Sequence, residues 1–396
     1  MHPSRRADAV FEGSAARRGC ARLSPGRPST DDPRASHAGE SDEMLHIVKN
    51  NYFLTDFLFE DVTGLPDVRL LSHRRRPVPP WRRAMKPWSA ARPRPHGCGL
   101  YFDDDYLAQL RAIRPADDVL FFDVGDLKDL LILRSAVATE RPWLWLWNPL
   151  RDFLKRPGQA DRYESCLRRE GFRIATFDPQ DARDHGFQLL PQVYRDVALP
   201  EVSTCRSTDV FFVGREKSRL AELLRWKTRL QQMRLAVDFH IVRDRGVRHT
   251  RAELAELTDT PMPYPETLRR IAGARCLLEI LQDGQTGLSV RSLEALFLGK
   301  KLITNNAGLL ESPAYHPDRI FVIGVDDENG LAAFLERPVP VVAGDVLEQF
   351  KVQSWIQNFR GGPAREFRHG KEASAHGAPL PLRASSLNAP SFDLRG

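Results

Sequence analysis

Residues 278–306 read LEILQDGQTGLSVRSLEALFLGKKLITNN and hold a strand, a loop, a helix and a second strand in that order. The first apolar run ends at Leu281, a polar loop with two glycines follows, and a helical pattern begins near Leu288 and ends at Gly299. Two strands that are joined through a helix pair in parallel. In open parallel sheets, ligands bind beyond the carboxyl ends of the strands. The segment therefore predicts a parallel sheet with a binding loop after Leu281.

The same alternation of strand-like and helix-like runs extends through most of the chain. The strand-like runs are MLHIV (from Met44), DDVLFFDV (117–124), PWLWLWNPL (142–150), FRIATFD (172–178), DVFFVG (209–214), VDFHIV (237–242), RCLLEIL (275–281), KKLITN (300–305) and RIFVIG (319–324). Helical spacing is found at 127–138, 161–171, 217–235, 265–274 and 288–299, whereas a bridge at 179–207 and a polar loop at 243–260 show no clear period. The pattern predicts an α/β fold with two Rossmann-like domains, an N-terminal one over 44–195 and a C-terminal one over 208–345.

Composition excludes several classes of protein. The chain has 396 residues, 42% of them hydrophobic, which is enough for two domains with separate cores. No stretch approaches the roughly 20 apolar residues of a membrane-spanning helix. The five cysteines show neither a CxxC pair nor metal-binding spacing. They are therefore predicted to be ordinary thiols of a reducing compartment.

Three segments differ from the rest in charge and proline content. Residues 1–43 are predicted to be disordered, or to extend a protein that starts at Met44, and 361–396 are predicted to be a disordered tail. Residues 72–99 carry eight Arg/Lys and no acid, which exceeds the net charge of +6 of the whole chain. The basicity is therefore local, in one loop. This loop is predicted either to contact acidic membrane lipids, with Trp81 and Trp88 at the membrane interface, or to be flexible and exposed. RNA binding is a third option that no known motif supports.

The loop and helix of 278–306 carry side chains suited to an anionic ligand. A helix N-terminus offers free N–H groups and a favourable dipole to a group such as a diphosphate. Gln285, Thr286 and Gly287 occupy that position, and glycine allows the backbone to approach a ligand closely. Glu294 borders the apolar face of the helix, so its carboxylate needs a partner. The candidates are Arg291, one turn earlier, and the hydroxyls of a ligand.

This segment resembles the C-terminal domain of GT-B glycosyltransferases. In that family a small-residue loop leads into a helix with the pattern G-x6-E-A-x3-G-x2-(L/V)-I, matched here by Gly287, Glu294–Ala295, Gly299 and Leu302–Ile303. The resemblance implies a GT-B-like fold, in which two Rossmann-like domains face a cleft. It also implies that Glu294 binds the ribose hydroxyls of a nucleotide-sugar donor. Thr286 stands where retaining members carry a further glutamate, so no retaining mechanism is implied.

The strand DVFFVG is followed by two cations. GT-B enzymes often place an arginine directly after the glycine of this strand and a lysine a few residues later, and both bind the donor diphosphate. Gly214 and Arg215 match this pattern, and Lys217 follows at a shorter spacing than usual. The resemblance therefore implies that these residues bind the donor. The alternative is a pair of exposed charges at the start of a helix.

The segments VFFVG, YPETL and HPDRIFVIG, together with 278–306, are also similar to bacterial proteins encoded with surface-polysaccharide genes. The resemblance covers about 110–360. It implies transfer of a sugar from a nucleotide-sugar to a glycan or lipid-linked acceptor, in the cytoplasm or on the inner face of the plasma membrane. It implies no cofactor, no required divalent metal and no nucleic acid. The alternatives are an inactive GT-B-like scaffold and a nucleotide-sugar epimerase of the same shape, whose cleft acids and histidine the sequence does not identify.

Two acidic motifs are candidates for catalysis. The run Asp103-Asp104-Asp105 contains the DxD pattern of metal-binding transferases, but it precedes a helical run, so capping of that helix is the favoured interpretation. Asp123 and Asp126, in FFDVGD, follow a buried strand and are predicted to face the cleft. Either is a candidate general base for an acceptor hydroxyl, and a helix cap at Asp126 is the alternative.

Overall fold

The computed structural model describes residues 43–91, 95–154, 158–200, 208–282 and 284–361, all within one compact unit. The predictions for 1–42 and 362–396 lie outside the described residues, as do Asp283 and the side chain of Trp88.

Two parallel sheets of six strands each organise the described residues. The first sheet has the order β2-β1-β3-β4-β5-β6, and the second has the order β9-β8-β7-β10-β11-β12. The strands of the first half are β1 (Leu45–Lys49), β2 (Val68–Ser72), β3 (Asp118–Phe122), β4 (Pro142–Leu146), β5 (Arg173–Thr176) and β6 (Gln188–Leu189). Those of the second half are β7 (Thr208–Arg215), β8 (Val237–Val242), β9 (Leu257–Thr258), β10 (Ala274–Glu279), β11 (Lys301–Thr304) and β12 (Ile320–Val322). The α/β fold of two Rossmann-like halves is confirmed.

Helices connect these strands and cover the sheets. In the first half they are α1 (Phe53–Leu58), α2 (Pro80–Ala91), α3 (Asp104–Arg111), α4 (Leu127–Arg134), α5 (Leu150–Phe153), α6 (Ala160–Arg169) and α7 (Pro179–His185). The others are α8 (Leu220–Gln232), α9 (Arg251–Glu256), α10 (Tyr264–Gly273), α11 (Val290–Phe297), α12 (Leu331–Glu336), α13 (Gly344–Glu348) and α14 (Val352–Trp355). Short 3-10 turns lie at Glu60–Val62, Pro95–Leu100, Ala307–Glu311, Glu328–Gly330 and Ile356–Phe359. No described helix is both long enough and apolar enough to cross a membrane.

The strand order reverses once in each sheet. In the first half the chain leaves β1 toward β2 on one side and toward β3 on the other, and in the second half β7 is flanked by β8 and β10. Such switch points open a crevice at the carboxyl ends of the two central strands, where ligands of doubly wound sheets bind. Each half therefore contributes one crevice.

The central strands of the first sheet are buried along their whole length because both faces of a doubly wound sheet are covered. Every residue of β1, β3 and β4 is buried. The chain returns to this sheet at its far end, where Trp355 packs edge-on against Trp145 at a ring-centroid distance of 5.0 Å. Phe359 packs in the same way against Trp143 at 5.5 Å. The end of the described chain is thus part of the core of the first half.

The strand β2 and the helices α1, α2, α5, α12, α13 and α14 were not predicted from the sequence. Nor were four short elements in the segments without a clear period, which are α7 and β6 within the 179–207 bridge and α9 and β9 within the 243–260 loop. Neither helix buries a side chain, so neither has an apolar period, and each strand has only two residues. Their only signals are caps: Asp178 for α7, and a capping box of Thr250 with Glu253 for α9.

The basic segment 72–99 was predicted to be one loop, but its described residues include α2 and the turn Pro95–Leu100. Pro80 suits the first turn of a helix. Acids of the first half partly neutralise its charge. The ion pairs join Arg75 to Asp129, Arg76 to Asp104 (2.5 Å), and Lys86 to Asp129 (2.6 Å) and Asp126 (3.5 Å).

Candidate functional site

The carboxyl ends of the two sheets line one common cleft of about 1230 Å³. The first half contributes the segments that follow β1, β3 and β4, and the second half contributes those that follow β7, β8 and β10 together with the start of α11. The two switch points therefore face the same space. This volume exceeds that of a typical drug-sized site, so it has room for two substrates side by side.

Asp123 lies in the cleft directly after β3, at the switch point of the first sheet. Its carboxylate accepts hydrogen bonds from the side-chain amides of Asn50 (3.0 Å) and Asn148 (3.3 Å). Burial raises the pKa of Asp123 to about 6, although the two amides and Lys217 oppose that rise. A carboxylate that titrates close to neutral pH is suited to take a proton from a hydroxyl group.

Asp126 and the Asp103–Asp105 motif cap helices. The Asp126 carboxylate accepts from the backbone N–H of Lys128 (3.1 Å) and Asp129 (3.0 Å) at the start of α4, and it does not line the cleft. Asp103 accepts in the same way from the first turn of α3. The capping interpretation is confirmed for both. Of the two predicted catalytic acids, the structure places only Asp123 in the cleft.

A group of cations lies opposite, at the end of β7. Gly214, Arg215 and Lys217 all line the cleft, as predicted for the site, and Arg215 is 46% exposed at its side chain. The Lys217 ammonium lies 3.5 Å from the Asp152 carboxylate of the first half. Arg215 lies 3.7 Å from Asp244, so each of these two cations has a carboxylate near it.

Arg219 is a third cation of this group that the sequence did not reveal. It donates to the Ile280 carbonyl and, over 3.1 Å, to the Arg215 carbonyl, and it also lines the cleft. Burial lowers its pKa to about 10, which leaves it charged at neutral pH. Arg219 could have been found from its position, because it lies four residues after Arg215 in the loop that follows a central strand.

Backbone strain is concentrated at the two switch points. Among the described residues, four that are not glycine have positive φ. Three of them are Asp123 (φ 54°), Lys217 (φ 44°) and Ser218 (φ 62°), which follow β3 and β7; Arg234 is the fourth. Such conformations cost of order 1–3 kcal/mol each and are found most often at active sites. The strain therefore marks the same two loops as the charges.

The loop before α11 has a different partner from the one predicted. The Asp178 carboxylate, fully buried at the start of α7, accepts from the backbone N–H of Thr286 (2.8 Å) and Gly287 (3.2 Å) and from the Thr286 hydroxyl (2.9 Å). These amides were expected to be free for a diphosphate. In the structure a carboxylate of the first half takes that place, because the end of β5 lies against this loop. Gln285 lines the cleft beside them.

The glycines of this loop serve contact between the two halves. A Cβ atom on Gly287 would lie 2.5 Å from the Phe177 carbonyl oxygen, and one on Gly284 would lie 2.6 Å from Arg151. Gly287 is therefore needed for the close approach to the Phe177 backbone, whereas Gly284 is favoured by its positive φ of 73°, because the flexible Arg151 side chain could move aside. The following helix begins at Val290, two residues later than predicted, and Ser289 caps it.

Glu294 is at the cleft wall but is almost completely buried, with 2% exposure. It forms an ion pair with Arg291 and accepts a hydrogen bond from the Tyr264 hydroxyl (2.9 Å). Tyr264 is in turn 2.5 Å from the Tyr194 hydroxyl. Burial raises the pKa of Glu294, and Arg291 and Tyr264 oppose that rise. The predicted Arg291–Glu294 pair is thus formed, and both carboxylate oxygens have protein partners.

Solved structures of several glycosyltransferases align with most of the chain at low identity. A glycosyltransferase from Rickettsia africae ESF-5 aligns with 80% of this chain and 94% of its own, at 9% identity and a TM-score of 0.42. The glycosyltransferase of kitacinnamycin aligns over 79% and 94%, at 14% identity and a TM-score of 0.35. A UDP-N-acetylglucosamine 2-epimerase aligns over 78% and 90%, at 13% identity and a TM-score of 0.32.

No protein-family model matches the sequence, and the search among curated proteins found no significant match. The GT-B-like arrangement, two Rossmann-like halves facing a cleft, therefore rests on the strand order and the cleft described above.

Proposed function

We propose that the protein is a glycosyltransferase that moves a sugar from a nucleotide-sugar donor to an acceptor hydroxyl in this cleft. The observation that supports the proposal is that a candidate base lies on one wall of the cleft and a group of cations lies on the other. Asp123, with its pKa raised to about 6, stands on one wall, and Arg215, Lys217 and Arg219 stand on the other. A base facing a set of cations is the arrangement that transfer from a phosphate leaving group requires.

In the proposed reaction the acceptor oxygen bonds to the anomeric carbon of the donor sugar. The bond between that carbon and the donor phosphate oxygen breaks, and the nucleotide leaves with its electron pair. Asp123 takes the proton of the acceptor hydroxyl. The cations of the opposite wall stabilise the negative charge that develops on the leaving phosphate, because they are already fixed in position before the reaction begins.

We propose that the donor diphosphate lies against these cations and not in the loop at 285–287. The support is that Asp178 already fills the anion site formed by Thr286 and Gly287. We also propose that Glu294 binds a ribose hydroxyl. Its carboxylate would accept this hydrogen bond beside its contacts with the Tyr264 hydroxyl and Arg291, because each carboxylate oxygen can accept more than one hydrogen bond.

Replacement of Arg215 by glutamine is expected to weaken nucleotide binding by about 10- to 100-fold, because a hydrogen bond to a charged group contributes about 1.5–3 kcal/mol. The measurement is isothermal titration with UDP, GDP, dTDP and CMP. Arg229→Gln is the matched control, since Arg229 pairs with Glu328 (2.9 Å) and does not line the cleft. If none of these nucleotides binds the wild-type protein, the proposal is wrong.

Product analysis after incubation with the matching nucleotide-sugar, with and without acceptors, separates the alternatives. An inactive scaffold would bind a nucleotide-sugar without releasing the nucleotide when acceptors are supplied. An epimerase would change the sugar and keep its bond to the nucleotide. The described residues that line the cleft include no histidine, which favours transfer over the epimerase.

We further propose that the acceptor belongs to surface-polysaccharide assembly, as in lipopolysaccharide, capsule or exopolysaccharide synthesis. The support is the similarity of 278–306 and of the shorter segments quoted above to proteins encoded with such genes. A transferase of this kind meets its acceptor in the cytoplasm or at the inner face of the plasma membrane.

The helix α2 supplies a surface for peripheral contact with an acidic membrane. Trp81 and Met85, one helical turn apart, are 59% and 48% exposed, and Arg82 and Arg83 lie beside them. Aromatic side chains favour the membrane interface, and each basic residue near an anionic surface contributes on the order of 1 kcal/mol. We propose this contact as the means by which the protein reaches lipid-linked acceptors.

Binding to vesicles that contain 30 mol% phosphatidylserine is expected to fall about tenfold or more when Arg82 and Arg83 are both replaced by glutamine, since about 2 kcal/mol of attraction is lost. Co-sedimentation measures this change. Vesicles of phosphatidylcholine alone are the control and are expected to bind weakly. Equal sedimentation of both protein forms with the acidic vesicles would contradict the membrane contact.

A further inference from the structure

Tyr52 and Phe53 are neighbouring aromatic side chains that stay exposed at the mouth of the cleft. They are 45% and 39% exposed, and their ring centroids lie 4.4 Å apart at an angle of 56°. Two large apolar rings side by side in contact with water forgo the stabilisation of burial, so such pairs usually mark a binding surface. Both residues line the cleft.

The fold places this pair beside the proposed base. Tyr52 caps α1 and Phe53 is its first residue, so both follow β1 closely. Because β1 pairs with β3 at the switch point, the segment after β1 reaches Asp123, and the Asn50 amide donates to it over 3.0 Å. Burial raises the pKa of Tyr52, while Arg215 lowers it and Asp123 raises it. The charges of Asp123 on one wall and of Arg215 on the other thus both affect the pKa of the Tyr52 hydroxyl.

The aromatic pair continues toward the second half. The Phe53 ring lies 6.5 Å from the ring of Tyr264, which also lines the cleft. A flat ligand resting on Tyr52 and Phe53 would therefore lie between the base and the half that carries the cations. That is the position an acceptor has to occupy for its hydroxyl to meet the anomeric carbon of the donor.

The chemistry around the pair selects one class of ligand. A pyranose ring has an apolar face of C–H groups and a rim of hydroxyls. A site for it therefore needs aromatic rings against the C–H face and polar groups near the hydroxyls. Tyr52 and Phe53 supply the faces. Asn148 and Asp123, which both line the cleft, supply amide and carboxylate groups at the edge.

We propose that Tyr52 and Phe53 form a stacking platform for a pyranose ring of the acceptor, with one hydroxyl of that ring directed at Asp123. This inference rests on the proposed function. It adds that the group that receives the transferred sugar is itself a sugar. Tyr52 and Phe53 determine which acceptors bind, and they take no part in proton transfer.

Saturation-transfer NMR with methyl glycosides of glucose, galactose, mannose, rhamnose and N-acetylglucosamine tests this inference without any need for turnover. At least one methyl glycoside is expected to bind, with the strongest saturation on the ring C–H protons of one face. The Tyr52→Ala/Phe53→Ala variant is expected to lose that signal at least fivefold. The Tyr52→Phe/Phe53→Tyr variant keeps both rings and is expected to retain it, as is Trp81→Ala, which removes an exposed ring elsewhere.

Two results would overturn the inference. One is equal saturation in the double-alanine variant, and the other is binding of nucleotides but of no methyl glycoside by the wild-type protein. In the first of these cases, a loss of UMP or GMP binding in the double-alanine variant would assign the platform to the nucleobase. Failure of the proposed function is distinct, because then no nucleotide binds the wild-type protein.

Discussion

Asp123→Asn is expected to lower sugar transfer by about 100- to 10,000-fold, which is the usual contribution of a positioned general base. Asparagine keeps the shape of the side chain and tolerates the positive φ of this position, so the backbone is not disturbed. The measurement is the rate of nucleotide release with a donor identified by titration and a saturating acceptor. The neutral amide avoids the cost of a buried charge, but it keeps only one of the two acceptor oxygens that the amides of Asn50 and Asn148 contact.

The pH dependence of the transfer rate is a second test of the role of Asp123. A base acts in its ionised form, and burial raises the pKa of Asp123 to about 6. The value of kcat/KM is therefore expected to rise about tenfold per pH unit below 6 and to level off above it, and this limb is expected to disappear in Asp123→Asn. The sign for stability is opposite: because the folded-state pKa is raised, the ionised form is disfavoured and stability falls as pH rises through about 6.

Asp126→Asn is the matched control for this prediction. The residue lies three positions later, caps α4 and stays outside the cleft, and asparagine caps a helix as well as aspartate does. Its activity is expected to remain within a few-fold of the wild type. Equal losses in the two variants, or full activity in Asp123→Asn, would contradict the assignment of the base.

Asp178→Ala is expected to lower the free energy of unfolding by about 3 kcal/mol or more. The change removes the cap of α7, which contributes about 1 kcal/mol, and leaves the amides of Thr286 and Gly287 without their acceptor at about 1–3 kcal/mol each. Urea unfolding followed by circular dichroism measures the loss. Asp184→Ala, an exposed acid on the same helix, is the control and is expected to stay within about 0.5 kcal/mol.

The same variant tests where the donor diphosphate binds. If the cations after β7 hold it, the dissociation constant of the nucleoside diphosphate is expected to change less than threefold in Asp178→Ala. If the diphosphate instead occupies the loop at 285–287, removal of the competing carboxylate frees two amides and strengthens binding. Tighter binding in the variant would therefore contradict the proposed placement and support the placement implied by the resemblance.

The parallel sheets could be predicted from the sequence because buried strands leave continuous apolar runs. DDVLFFDV and PWLWLWNPL are examples, and the structure has β3 and β4 within them. Elements that bury nothing, such as α7 and α9, leave no such pattern. The helix α2 was missed for another reason, since prolines on both sides of it suggested a loop.

The candidate site could be predicted only in part. Its loops follow from a general rule, because segments after the central strands of parallel sheets meet at one edge, and Asp123 was found in this way. Arg215 was implied by the resemblance to GT-B enzymes. Partners that come from the other half of the chain could not be predicted. Asp178 is 108 residues from Thr286 in sequence, and no local pattern links them. The glycines at 284 and 287 were predicted to let the backbone approach a ligand, but in the structure they lie against Arg151 and Phe177 of the first half.

The most direct test of the central claim is a crystal structure of the protein with the nucleotide-sugar that binds best in titration. We expect the diphosphate to contact Arg215 or Arg219 and the anomeric carbon to face Asp123 across the cleft. A nucleotide bound outside the cleft, or a donor sugar directed away from Asp123, would contradict it.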